Sequence, residues 1–230
     1  MADTSTMPWF SSVAAATIGA VLAYEQDHGR SRDAVTVLAG DGAARVLALG
    51  AVLGRRLIGA PTITPDEGNT GDGALGTLTL AAGVKVGTYK AVCIAAAENG
   101  GTFAVFDPDG FRLADVAVGV AYDGGPLAFT IADGDADFIV GDAIEVEVAA
   151  GDRKVVALAP AAIDGTQIAA GVLLAGVTAP DGADAAGQAA TRECDLITSG
   201  LVWPAGITAD QKTAALADMA KAGIRVLAAA

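Results

Sequence analysis

The stretch Leu201-Val-Trp-Pro-Ala-Gly-Ile-Thr208 runs straight into a short amphipathic segment, Ala209 to Ala222, and the two together dictate a turn, a helix start and a helix stop. Thr208 and Gln211 have the spacing of a capping box, in which each side chain satisfies a backbone amide that the helix leaves without a partner. Gly223 stands where a left-handed residue would end the helix, which is therefore about four turns long. Leu216, Met219 and Ala220 share one face while Asp210, Asp218 and Lys221 turn away, so this helix lies on a surface. Pro204 biases Trp203 towards an extended backbone. A strand-like Ile224-Arg-Val-Leu227 follows the helix.

Charge divides the chain. Of its 27 acidic and 14 basic residues, 14 acidic residues but only Lys85, Lys90 and Arg112 lie between Thr64 and Ala150, so almost all of the net charge of −13 sits there. An acidic surface argues against nucleic acid as a partner, because phosphate binding requires Lys and Arg to displace counterions. The same segment reads as a complete β-unit. Short strand candidates are Gly76–Leu80, Thr88–Ile94, Thr102–Phe106, Phe111–Val120, Leu127–Ile131, Phe138–Val140 and Ala143–Val148, separated by turns such as Asp107-Pro-Asp-Gly110 and Asp123-Gly-Gly125. Ile144, Val146 and Val148 alternate with Glu145 and Glu147, which predicts one buried and one wet face. About seven strands in so short a span suit a small immunoglobulin-like β-sandwich.

The order of elements around that segment carries a resemblance. The Trp-Pro step, capped helix and final strand resemble the end of the lambda-type head decoration proteins of tailed bacteriophages. Arg153 to Leu173, with its central Asp164-Gly165 turn, is similar to a strand, turn and Ala-Gly-Val-Leu strand of that family. Asp27-His-Gly-Arg-Ser-Arg-Asp33 leading into Ala34-Val-Thr-Val-Leu-Ala-Gly40, and Gly50-Ala-Val-Leu-Gly54 after it, resemble the family's entry into its first strands. Taken with the acidic segment, this predicts a mainly β chain in four stretches: an amino-terminal arm over 1–33, decoration-domain parts over 34–63 and 151–230, and an inserted β-sandwich over 64–150. Turn-prone Gly59-Ala-Pro61 and Gly151-Asp152 mark the joins.

What the resemblance implies is a structural protein that binds the outside of an assembled head as a homotrimer and clamps neighbouring subunits of the major capsid protein. Defective phages and gene transfer particles would use the same device. In that family the amino-terminal arm reaches the capsid, which by position points to Trp9 through Arg32. The contact candidates are Trp9, Phe10, Tyr24, Arg30 and Arg32. Trp9 and Phe10 are bulky apolar residues in an otherwise loose segment, as expected of an anchor that packs on a partner. Trp203 and Pro204 are candidates for the core or for a trimer interface, where Trp is enriched.

The chemistry for catalysis is thin, and no cofactor or metal is expected. His28 is the only histidine, and nothing near it has the form of a nucleophile elbow. Gly71-Asp-Gly-Ala-Leu-Gly76 satisfies a dinucleotide-binding pattern in letters, but a strand follows it where that fold needs a helix. Asp133, Asp135 and Asp137 start a calcium-loop spacing that Phe138 and Ile144 break at the sixth and twelfth positions, leaving a solvated acidic turn or a looser calcium site. Cys93 and Cys194 lack the spacing of a redox or zinc motif and read as buried thiols. The apolar run Ser11–Tyr24 is too short to span a bilayer, and the residues before it lack the positive charge of a signal peptide. No membrane is expected, and assembly in a bacterial cytoplasm onto the outer capsid surface is. The alternative is a surface-displayed binding module whose sandwich recognises glycans on a host cell.

Overall fold

The computed structural model describes residues 17–228 and is mainly β. Between Ile58 and Ala150 the chain builds two antiparallel sheets on one core. The larger sheet has five strands in the order Arg112–Ala117, Gly100–Phe106, Gly87–Ala97, Ala143–Ala150 and Ile58–Pro65. The smaller is formed by Ala121–Asp123, Leu127–Ala132 and Ala74–Leu75, with Thr79–Leu80 also paired to Leu127–Ala132. Tyr89, Phe103, Ile144 and Val146 of the first sheet meet Leu127, Phe129 and Ile131 of the second, making a β-sandwich. The alternation read from the sequence is present: Ile144, Val146 and Val148 are buried, and Glu147 is exposed.

Two strand readings change. Phe138–Val140 is a loop, because Phe138 is used as a plug. Its ring packs edge-on against Phe103, with centroids 4.9 Å apart and planes at 87°. A Cβ on either Gly71 or Gly73 would collide with that ring, so the glycines of the dinucleotide-like pattern are packing residues. The buried carboxylate of Asp142 holds the loop by accepting the amides of Thr70 at 3.0 Å, Gly71 at 2.8 Å and Ile139 at 3.0 Å. Gly76–Leu80 is the other change, since pairing reaches only Ala74–Leu75 and Thr79–Leu80. The strand Ile58–Pro65 also begins ahead of Gly59-Ala-Pro61. Pro61 is tolerated there because this is an edge strand, where a missing N–H need not break a ladder.

The residues on either side share a second body. Val155–Ala157, Arg32–Val37, Ala185–Ala190, Ala169–Leu173 and Val52–Arg55 close into a small barrel. Val37, Leu53, Val155, Leu173 and Ala189 fill its interior, and on the opposite face of the strand a Cβ on Gly54 would strike the Thr166 carbonyl. Beside the barrel, Cys194–Ile197 is flanked by Leu22–Glu25 on one side and by Ile224–Leu227, in parallel, on the other. The helix Ala209–Lys221 has the full capping box, and Gly223 has φ of 76°. It buries Ala215 and Met219 against the cluster of Val172, Leu196 and Ile224. Ala220 is exposed and Ala215 takes its place on the buried face, because the apolar stripe follows the i, i+4 pair. Cys93 and Cys194 are buried free thiols.

Replacing Asp142 by Ala strips three backbone amides of their acceptor, and we expect a loss of about 2–4 kcal/mol in urea unfolding, from unsatisfied buried donors. Thr208→Ala, which removes only a cap, should cost about 1 kcal/mol in the same measurement.

Candidate partner-contact surface

Of the residues singled out for contact, Tyr24, Arg30, Arg32, Trp203 and Pro204 fall on the barrel body. Asp27 accepts the Gly29 amide at 2.8 Å and so starts the single turn His28–Ser31. Ser31 is buried, and its hydroxyl donates to the Glu193 carbonyl at 3.0 Å, tying this turn to the far end of the chain. The turn throws Arg30 and Arg32 to opposite partners. Arg30 donates to Glu193 at 2.6 Å, whereas Arg32 grips Glu25 through both carboxylate oxygens at 2.7 and 2.6 Å. Arg32 and Glu25 are largely enclosed, with side chains 14% and 13% exposed, and the guanidinium holds the Glu25 carboxyl below its ordinary range. His28 also meets Glu25 at 2.8 Å. Both arginines are thus engaged within the chain.

Tyr24 is 60% exposed on its strand. Trp203 is half-buried against the cluster around Met219 and lies under Lys212, whose Nζ is 5.9 Å from the ring centroid; Pro204 is half-buried beside it. Trp9 and Phe10 lie outside the described residues.

Sequence reasoning passed over Arg55, Arg192 and their neighbours. They line a surface cavity of about 330 Å³ together with Asp33, Thr191, Leu57 and Ile168. Asp33 pairs with Arg192 and accepts the Thr191 hydroxyl at 2.8 Å, and these contacts, together with the charge of Arg55, lower its pKa. Nε of Arg55 is buried with no acceptor among the described residues. No local sequence signal finds this pocket, because its lining comes from four separate stretches of chain.

Burial pushes the Cys194 thiol up to about 11, which keeps it protonated at neutral pH. Among the described residues no group of three or more His, Cys, Asp or Glu side chains is placed to hold a metal ion. Asp137 instead accepts the Asn99 amide at 2.8 Å. Among the same residues no helix is long and apolar enough to cross a membrane.

A barrel backed by a capped helix and a final parallel strand is the arrangement into which the decoration-like stretches fold, and a family comparison decides the matter: residues 12–224 match bacteriophage lambda head decoration protein D. The chain belongs to this family. Its role is accordingly capsid decoration, as a structural protein of the outer head surface. No curated protein matches the chain. Two crystal forms of FlgL from Xanthomonas campestris show partial likeness, at 18% and 20% identity and TM-scores of 0.32 and 0.31. The alignments cover 45% and 46% of this chain and 34% and 33% of FlgL, so the chain spans about a third of the protein it matches there.

Where the two bodies meet, Arg56 clasps Asp152 through both oxygens, one at 2.9 Å, and Lys154 bridges Asp152 and Asp184. Arg56 first, and then burial-opposed contacts with Lys154, depress the Asp152 carboxyl to about 2. A carboxylate with a folded pKa below its unfolded value of 3.8 stabilises the fold above that value and loses the contribution as pH falls. Acid titration of the unfolding free energy should therefore show stability lost as pH falls from about 4 to 2, by a smaller amount in Arg56→Ala than in the unaltered chain.

Proposed function

We propose that the chain decorates an assembled head as a homotrimer and clamps neighbouring subunits of the major capsid protein. The observation that carries this reading is the match over residues 12–224, which spans both barrel-forming stretches and the segment between them. The mechanism is linkage: a protein that binds only the expanded, closed lattice stabilises that lattice by mass action, in proportion to the logarithm of its concentration over its dissociation constant. Such a role requires no cofactor. The segment before Arg32 supplies the capsid contact, with Trp9, Phe10 and Tyr24 as apolar anchors. Arg30 and Arg32 act there by shaping the turn, since each is paired inside the chain. Trp203 and Pro204 lie at the edge of the core and are available to a trimer interface.

In this reading residues 64–150 are an inserted domain that projects from the capsid-bound barrel, and their acidity keeps particles apart. The strand Ile58–Pro65 extends the unit to Ile58. Support comes from the separate core, built from residues 58 to 148 alone. The rival idea that this sandwich binds glycans calls for a platform of exposed rings; Tyr89, Phe103, Phe129 and Phe138 are buried, and Phe111, 69% exposed beside Lys85, is a single ring.

Light scattering at several concentrations, beside co-sedimentation with expanded empty heads, tests the proposal. Three copies of the 22.6 kDa chain give a particle of about 68 kDa, or a monomer pellets only with expanded heads. A stable monomer or dimer that ignores heads overturns it.

A further inference from the structure

At its end away from the barrel, the sandwich carries aliphatic side chains that its core does not use. The strand Gly87–Ala97 sets out beside Val148, close to the join with the barrel, and runs antiparallel to Ala143–Ala150, so Ile94 to Ala97 and the residues just before Ala143 share the opposite end. There Ile139 to Asp142 form a β-turn, in which the Asp142 amide donates to the Ile139 carbonyl at 3.1 Å and Gly141 has φ of 106°. The turn is tied to the strand: Gly141 donates to the Cys93 carbonyl at 3.0 Å, and Cys93 to the Asp142 carbonyl at 2.7 Å. This pairing sets Ile139 and Val140, 48% and 63% exposed, beside Ile94, 42% exposed, with Ala95, Ala96 and Ala97 also open to solvent. Single exposed aliphatics are ordinary on any surface, whereas three large ones on a fixed turn and its neighbouring strand form a patch.

The rim of the patch decides what can cover it. Glu98 and Asp135 are exposed there, and Asp137 accepts the Asn99 amide of the hairpin at 2.8 Å. The three cations between residues 64 and 150 are engaged elsewhere, Lys85 with Asp107 and Asp109, Lys90 with Glu145 and Asp66, and Arg112 with Asp115. The rim is therefore negative, with no cation of the sandwich to balance it. A second copy of a chain of net charge −13 would set like charge against like, and so would a nucleic acid or an anionic lipid surface.

We propose that the tip formed by Ile94, Ile139 and Val140 docks a polypeptide segment of a partner protein that carries Lys or Arg next to aliphatic side chains. The aliphatic contact supplies affinity at the centre, and the carboxylates around it speed the encounter and fix its orientation. The inference is independent of the capsid reading, because the tip lies at the far end of the sandwich from the barrel.

Titration of the full chain with short synthetic peptides, followed by amide NMR, tests it. The probes are alternating Leu and Lys, alternating Leu and Glu, and alternating Ser and Lys. Saturable movement of the Ile94, Ile139 and Val140 amides with the Leu–Lys peptide, none with Leu–Glu, and binding about 10-fold weaker with Ser–Lys is the expected result. Equal binding of Ser–Lys, or movement spread over the acidic surface instead of the tip, reduces the effect to general charge attraction and overturns the proposal. Ile139→Ser combined with Val140→Ser should weaken the Leu–Lys peptide about 10-fold at unchanged Tm, since both side chains are exposed. Glu98→Gln combined with Asp135→Asn leaves the turn alone and should weaken binding while flattening its salt dependence. Undiminished binding by both variants overturns the proposal, and concentration-dependent dimerisation that moves the same amides overturns it in favour of a second copy.

Discussion

The barrel depends on a pairing between residues far apart in sequence. Val155 pairs with Arg55, and Ala157 with Leu53, although roughly a hundred residues intervene. Closing so long a loop is affordable only if something holds its ends together, and the sandwich does so by pairing its own first and last strands. Ile58 lies opposite Ala150 and Val146 opposite Ile63, so the chain leaves and re-enters the barrel as two hydrogen-bonded neighbours. The junction continues that ladder: Gly151 donates its amide to the Leu57 carbonyl, Arg56 to Lys154, and Arg153 to Arg56. A core formed entirely from residues 58 to 148 then stabilises the loop from within.

Small residues set how closely the pieces approach. In the barrel body Gly50 and Gly200 pack backbone to backbone, and a Cβ on Gly200 would meet the Ala20 carbonyl. That contact brings the segment before the first strand onto the sheet of Cys194–Ile197, where Val21 is buried. In the sandwich the same economy produces the opposite effect: Gly71 and Gly73 clear room for one large ring, Phe138. Glycine at these places is a packing choice dictated by a neighbour, and a local pattern of glycines is a poor guide to ligand chemistry.

Electrostatics follows from the acidic excess. With 27 acidic and 14 basic residues, most cations find a carboxylate within the chain: Arg30 with Glu193, Arg32 with Glu25, Arg225 with Asp195, Arg192 with Asp33. Exposed pairs of this kind contribute little each. Their use is to orient segments, as the pair of Arg30 and Glu193 fastens the turn His28–Ser31 to the strand that follows Glu193.

Local features were legible because they are settled within a few residues. The capping box of Thr208 and Gln211, the stop at Gly223, the final strand, the alternation of Ile144 to Val148 and the place of most strands in the acidic segment all depend on backbone sterics and on the period of apolar side chains. The family resemblance was legible for a related reason, since it rests on the order of such elements. The tertiary structure decided what depends on meetings across long distances. It made Phe138 a plug instead of a strand, exchanged Ala220 for Ala215 on the buried face of the helix, closed the barrel through Arg55 and Val155, and gave Arg30 and Arg32 partners inside the chain. It also assembled the pocket around Arg55 from stretches that sequence keeps apart. The physical reason is that burial and charge pairing depend on distance in space, and a sequence displays only distance along the chain.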